Sequence, residues 1–158
     1  MIDIHSKLPA QGVTIFSVMT AMAHRLNALN LSQGFPDFAA PPALLKALSQ
    51  ATLDGFNQYA PSDGLISLRE QLAHQFLKRD QLVIDPITEI TITPGATIGI
   101  FCTIQALIHA GDEVIIFDPC YDSYGPSVQL VGAKAIHIPL VAPEFSVEWN
   151  QVKDAIND

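Results

Sequence analysis

Ile90-Thr91-Ile92-Thr93-Pro94-Gly95-Ala96-Thr97 opens the part of the sequence that decides the fold. Its β-branched residues predict a short strand over 90–93, stopped by Pro94-Gly95. The following run, Ala96 to His109, is apolar nearly all round, as a helix packed on a sheet is, with Gly111 as its cap. Glu113 to Phe117 predicts a second, buried strand that ends at Asp118-Pro119. A helix over Ser123 to Leu130 stops at Gly132, Lys134 to Leu140 alternates as a third strand, and Ser146 is the expected N-cap of a last helix reaching Ile156. Strands and helices alternate across short links, which means right-handed crossovers and a parallel sheet. Three strands are few for a doubly wound domain, so the expected sheet is unfinished.

Upstream, the chain is punctuated rather than periodic. Phe16, Met19, Ala23, Leu26 and Leu29 fall at helical spacing within Val13 to Leu29 and predict an amphipathic arm helix. A Gly- and Pro-rich stretch follows and closes at Pro41-Pro42, which suit the first turn of a helix over Ala43 to Leu53 ended by Gly55. After a loop over 57–64, Leu65 to Lys78 predicts a third helix with Leu68, Leu72, Phe76 and Leu77 on one side. No internal repeat is present.

Composition narrows the function classes. The 158 residues are 49% hydrophobic and 15% charged, ordinary for a globular domain able to bury a core. A formal net charge of −8, with the basic residues scattered, argues against a nucleic-acid surface. Met1 to Ser6 lacks a basic leader, and no apolar run approaches the roughly 18 residues of a membrane span. Cys102 and Cys120 form no C-x-x-C pair and suit reduced thiols, so a soluble, cytoplasmic protein is expected. His5, His24, His74, His109 and His137 show no metal-ligand spacing, and Asp118 with Asp122 makes no carboxylate cage.

Ligands of open α/β sheets bind beyond the carboxyl ends of the strands. Two segments fall there. At Gly95-Ala96-Thr97 small residues let backbone N–H groups and a helix dipole approach an anion, and Thr97 adds a hydroxyl. A phosphate suits the geometry; a plain left-handed turn joining strand to helix explains the same residues. In the second segment, Tyr121 and Tyr124 follow a strand end, where a ring either stacks on a flat heterocycle or simply covers the sheet.

Taken together, Gln33-Gly34-Phe35-Pro36-Asp37-Phe38, Gln58-Tyr59, Gly64 to Arg69, Thr93 to Thr97, Gly111 to Ile115 and Asp118 to Tyr124 resemble the class I/II aminotransferases of pyridoxal-phosphate (PLP) fold type I, nearest the methionine, kynurenine and glutamine transaminases. The resemblance runs from about Gly12 to the end. It implies an N-terminal arm and small-domain segment over 1–40. Residues 41–158 would then be an incomplete large α/β/α domain with a mainly parallel sheet. By the same resemblance, Gly95, Ala96 and Thr97 hold the cofactor phosphate and Tyr121 stacks on its ring. Tyr59 reaches the phosphate in the neighbouring subunit of a homodimer. Backbone at Gly34 lies beside the substrate carboxylate, and Phe16 lines the partner's substrate pocket. Substrates would be amino acids and 2-oxo acids. Departures touch the pocket: many relatives carry an aromatic where Thr97 stands, or Glu where Ile98 stands.

The family's Schiff-base lysine, pyridinium aspartate and carboxylate-clamping arginine would lie beyond this sequence, which predicts a truncated chain inactive by itself. Lys7, Lys46, Lys78, Lys134 and Lys153 read as surface charges, and none of Arg25, Arg69 and Arg79 matches the clamp. A β-lyase on the same scaffold and a non-catalytic truncated product remain alternatives. A Rossmann-like nucleotide binder is disfavoured by the lack of G-x-G-x-x-G.

Overall fold

The computed structural model describes residues 5–9, 11–34 and 36–157. Phe35 of the Gln33–Phe38 motif and the start at Met1–Ile4 lie outside the described residues. The helices are α1 (Ile15–Leu26), α2 (Pro42–Leu53), α3 (Ile66–Asp80), α4 (Ala96–Leu107), α5 (Tyr124–Leu130) and α6 (Trp149–Ala155); the strands are β1 (Glu113–Asp118) and β2 (Lys134–Pro139). Two compact units result, one of Met1–Val18 with Pro94–Asp158, the other of Met19–Thr93.

In the first unit, the crossover through α5 brings β2 parallel to β1, in register from Glu113 opposite Lys134 to Asp118 opposite Pro139. Amides bracket the ladder at both ends: Lys134 N–H donates to Asp112 O at 2.8 Å and Leu140 N–H to Asp118 O at 2.6 Å. Ile116, Val128 and Ala133 form the buried centre, with Ile104 and Ile108 from the α4 side and Val131 and Ala135 packed against it. Val128 has no exposed surface, and burying a valine contributes about 1.5–3 kcal/mol. Gly111 N–H donates to Gly132 O at 3.0 Å, so the turn entering β1 is tied to the turn entering β2.

Three expectations are corrected here. Residues 90–93 belong to no strand, so the sheet has two strands among the described residues. A β-branched run becomes a strand only with a partner, and Ile92 N–H instead donates to Asp63 O at 3.0 Å. Ser146 does not cap the last helix. It bridges Val141 through backbone bonds of 3.0 and 3.2 Å, and Glu148 occupies the cap position. Gly111 lies beyond the end of α4, which stops at Leu107 with Ile108 as its C-cap.

The second unit is held differently. Pro41 and Pro42 start α2 as expected, but no residue of that helix is buried. On α3 the covered face is Arg69, Leu72, Ala73 and Phe76, whereas Leu68 and Leu77 are 46% and 45% exposed. The spacing of the covered residues is an unbroken i, i+3, i+4, i+7 stripe, with an arginine as its most buried member. The arm helix α1 ends at Leu26, before Asn27 (φ 49°) and short of Leu29. No helix among the described residues is long and apolar enough to cross a membrane.

Candidate functional site

The carboxyl end of β1 runs into Pro119-Cys120-Tyr121, and Tyr121 is 52% exposed. Its ring meets Tyr124 edge to face, with centroids 6.1 Å apart and planes at 60°. Tyr124 in turn packs on the buried centre, so the first ring is oriented by one fixed in the core. A cavity of about 480 Å³ lies below them, walled by Ile100 and Ile104 of α4, by Val114 to Phe117 and by the two tyrosines. The wall is apolar, which suits the flat face of an aromatic ligand rather than a sugar or a metal.

Ahead of this cavity in the chain, Gly95 sits at φ 93°, ψ 161° as the N-cap of α4. That conformation is open to glycine and strained for other residues. No side chain caps the helix there, and nothing lies within 4 Å of where a Cβ would stand. Ala96 and Thr97 are exposed. The N-terminus of a twelve-residue helix, with the positive end of its dipole, thus lies at exposed residues.

One exposed pair at this end escaped the sequence reading. His137 Nδ1 lies 2.7 Å from Asp118 Oδ2, because the parallel register sets His137 beside Ile116, two residues before Asp118. Alternation along β2 marks His137 as outward-facing, but only the register reveals its partner. Nearby, the Cys120 thiol is pushed above its ordinary pKa by desolvation, then by its hydrogen bond to Asp118 and the charges of Asp118 and Asp122. A thiol held protonated is a poor nucleophile. Both cysteines are free.

Two lysines of this unit lie away from this end. Lys134 starts β2, at the opposite end of the parallel strands, and its Nζ pairs with Glu113 Oε1 at 2.7 Å. Lys153 is in the last turn of α6, and Lys7, Lys46 and Lys78 are exposed. No group of three or more His, Cys, Asp or Glu among the described residues is arranged for a metal.

Of the residues singled out from the sequence, Gly95, Ala96, Thr97, Tyr121 and the half-buried Phe16 fall in one unit. Gly34 and Tyr59 fall in the other. Gly34 is exposed, with nothing within 4 Å of an added Cβ, so this chain's own packing does not require a glycine there. Tyr59 is fully exposed. A residue the sequence reading left aside, Arg69, is 6% exposed and paired with Asp63 at 2.8 Å.

Comparison with known proteins gives the geometry a family. Residues 27–158 match the family model of aminotransferase class I and II. The chain is 44% identical over 146 residues to a methionine aminotransferase of Escherichia coli (strain K12), covering 92% of this chain and 38% of that protein. It is 41% identical over 133 residues to human kynurenine–oxoglutarate transaminase 3, covering 83% and 29%. Among solved structures, YbdL from Escherichia coli, for which a methionine aminotransferase function is identified, superposes with a TM-score of 0.92 at 41% identity over 99% of this chain and 41% of that one. Thermus thermophilus aspartate aminotransferase with maleate gives 0.87 at 29% identity, over 99% and 42%. The chain thus spans about two fifths of the length of the structures it matches, and it belongs to the class I and II aminotransferases.

Proposed function

We propose that this chain supplies the phosphate-holding and ring-stacking part of a PLP-dependent aminotransferase acting on methionine-like, aromatic or other hydrophobic amino acids with a 2-oxo acid acceptor. The observation that carries this reading is Gly95 at φ 93° opening α4, whose N-terminus no side chain caps, in the same unit as the half-exposed Tyr121. The residues fit the cofactor: an open cradle where a Cβ would meet nothing suits a phosphate, and an apolar wall beneath an oriented ring suits a pyridine.

In this assignment the amides of Gly95 to Thr97 and the Thr97 hydroxyl bind the phosphate, and Tyr121 lies against the ring and excludes water from its face. Tyr59, projecting fully into solvent, donates its hydroxyl to the phosphate of a neighbouring subunit. Gly34 offers backbone to the substrate carboxylate, and Phe16 gives the partner's substrate pocket an apolar wall. When bound, PLP supplies the electron sink for proton loss at the substrate carbon. The donor class is supported by similarity to proteins named methionine aminotransferase and kynurenine–oxoglutarate transaminase. A homodimer in the cytoplasm is the setting that a shared site and two free cysteines support.

By itself the chain is expected not to transaminate: Lys134, a lysine of the strand pair, stands with Glu113 at the opposite end of the parallel strands from Tyr121. Losing the general acid–base group alone lowers rate about 10²–10⁴-fold. The test joins this chain to the part of the Escherichia coli methionine aminotransferase beyond the matched segment. The chimera is expected to bind PLP and convert methionine to its 2-oxo acid, while the chain alone stays at the rate of free PLP. A PLP-loaded chimera inert toward methionine, phenylalanine and kynurenine would overturn the assignment. So would a borohydride-reducible adduct on one specific lysine of the isolated chain, accompanied by turnover.

A further inference from the structure

We infer that Arg69 is a positioning residue, which through Asp63 holds the 57–64 loop that presents Tyr59; the inference rests on the phosphate reading of Tyr59 given above. A buried guanidinium is costly unless paired, so its partners mark what it is built to hold. Nη1 of Arg69 reaches Asp63 Oδ2 at 2.8 Å, Pro86 O at 3.1 Å and Ile87 O at 3.2 Å. Two of these partners belong to a turn that is itself tied by hydrogen bonds within 85–89. Ile87 N–H donates to Asp85 Oδ1 at 2.9 Å and Thr88 Oγ1 to Asp85 Oδ2 at 2.7 Å, and Asp85 N–H donates to Glu89 Oε2 at 2.7 Å. Arg69 thus stands on a rigid base and extends one contact to a carboxylate of the loop.

The loop is pinned at both ends and open in the middle. At its start Asn57 Nδ2 donates to Thr52 O at 3.1 Å. At its end Gly64 N–H donates to Pro61 O at 2.9 Å, and Ile92 N–H donates to Asp63 O at 3.0 Å. Gly64 is buried at φ 97°, where an added Cβ would come within 2.7 Å of Ile92 Cβ. Asp63 is therefore gripped through its carbonyl by Ile92 and through its carboxylate by Arg69. Tyr59, four residues earlier, projects fully into solvent from the stretch between the two anchors. An exposed ring can meet a ligand on another subunit only if its short loop keeps one shape, and the Asp63–Arg69 pair supplies that constraint.

Amide hydrogen exchange of the full chain tests the clasp without any cofactor. Asp63→Asn and Arg69→Lys, which keep volume and either neutral hydrogen bonding or charge, are expected to speed exchange in 57–64 on the order of tenfold or more, leaving β1 unchanged. A folded variant whose 57–64 exchange matches the parent would overturn the clasp, as would acceleration spread equally over β1. PLP retention in the chimera then separates positioning from mere stability. Asp63→Asn is expected to weaken retention several-fold in the parent and not at all when Tyr59→Phe is already present. Equal weakening in both backgrounds would overturn the positioning role. Unchanged retention in Tyr59→Phe alone would remove the phosphate role of Tyr59 and the positioning role with it, while exchange still judges the clasp.

Discussion

Gly95 and Tyr59 show how differently single residues bear on function and on stability. At Gly95 the backbone itself is the device, and alanine there has space but not the conformation. Gly95→Ala is expected to cost about 1–2 kcal/mol in urea unfolding and to abolish phosphate-dependent change at the α4 N-terminus. Tyr59→Phe is expected to leave unfolding unchanged, since the ring is fully exposed. In the chimera it should weaken PLP retention by about 1.5–3 kcal/mol, the worth of one charge-assisted hydrogen bond, read by dialysis against PLP-free buffer. The glycine turn and the start of α4 at Ala96 were legible because a proline–glycine stop before an apolar helix is a local signal. Arg69 was not. A charged residue within an apolar stripe reads as exposed until Asp63, Pro86 and Ile87 are seen around it.

At the level of elements, the helices and the pair β1–β2 could be read because each carries its own period and its own stops. The segment over 90–93 has the same β-branched composition as a strand and failed to become one for want of a ladder partner. Propensity describes what a segment can do, while pairing decides whether it does. Acid provides a check on two elements. The Asp85 carboxyl is held below the usual range by the Ile87 N–H and then the Thr88 hydroxyl, and that of Glu113 by Lys134 and then Asn157. Depressed folded values mean that their stabilisation is fully present above the unfolded carboxylate pKa of about 4 and is lost as pH falls through the folded values. Exchange protection at the 85–89 turn and the start of β1 is therefore expected to hold at pH 5–6 and fall below about pH 4. Asp85→Asn should flatten the first loss only. In the buried centre, Val128→Ala is expected to cost about 2 kcal/mol, measured by urea unfolding.

Across the whole molecule, the described residues bury few side chains: Ile116, Val128, Ala133 and Ile138 are the buried apolar ones. Large apolar groups on α2 and α4 face solvent instead, among them Leu44, Leu48, Ile98 and Leu107, and among the described residues no strand pairs with the edge of β1 away from β2. Surfaces of this kind drive association, so sedimentation velocity is expected to show mass rising with protein concentration. A strictly monomeric chain at high concentration would contradict this. None of these exposures was legible from composition, because an apolar helix reads as buried whether or not its cover is present.

The half-site proposed for a phosphorylated aromatic cofactor, at Gly95 to Thr97 and Tyr121, is tested most directly by titrating the folded, isotope-labelled chain and following its amide and ring signals. Inorganic phosphate is expected to shift the amides of Gly95, Ala96 and Thr97 alone, and PLP to shift those amides together with the Tyr121 ring. A well-dispersed spectrum in which neither ligand moves residues 95–97 would contradict the assignment.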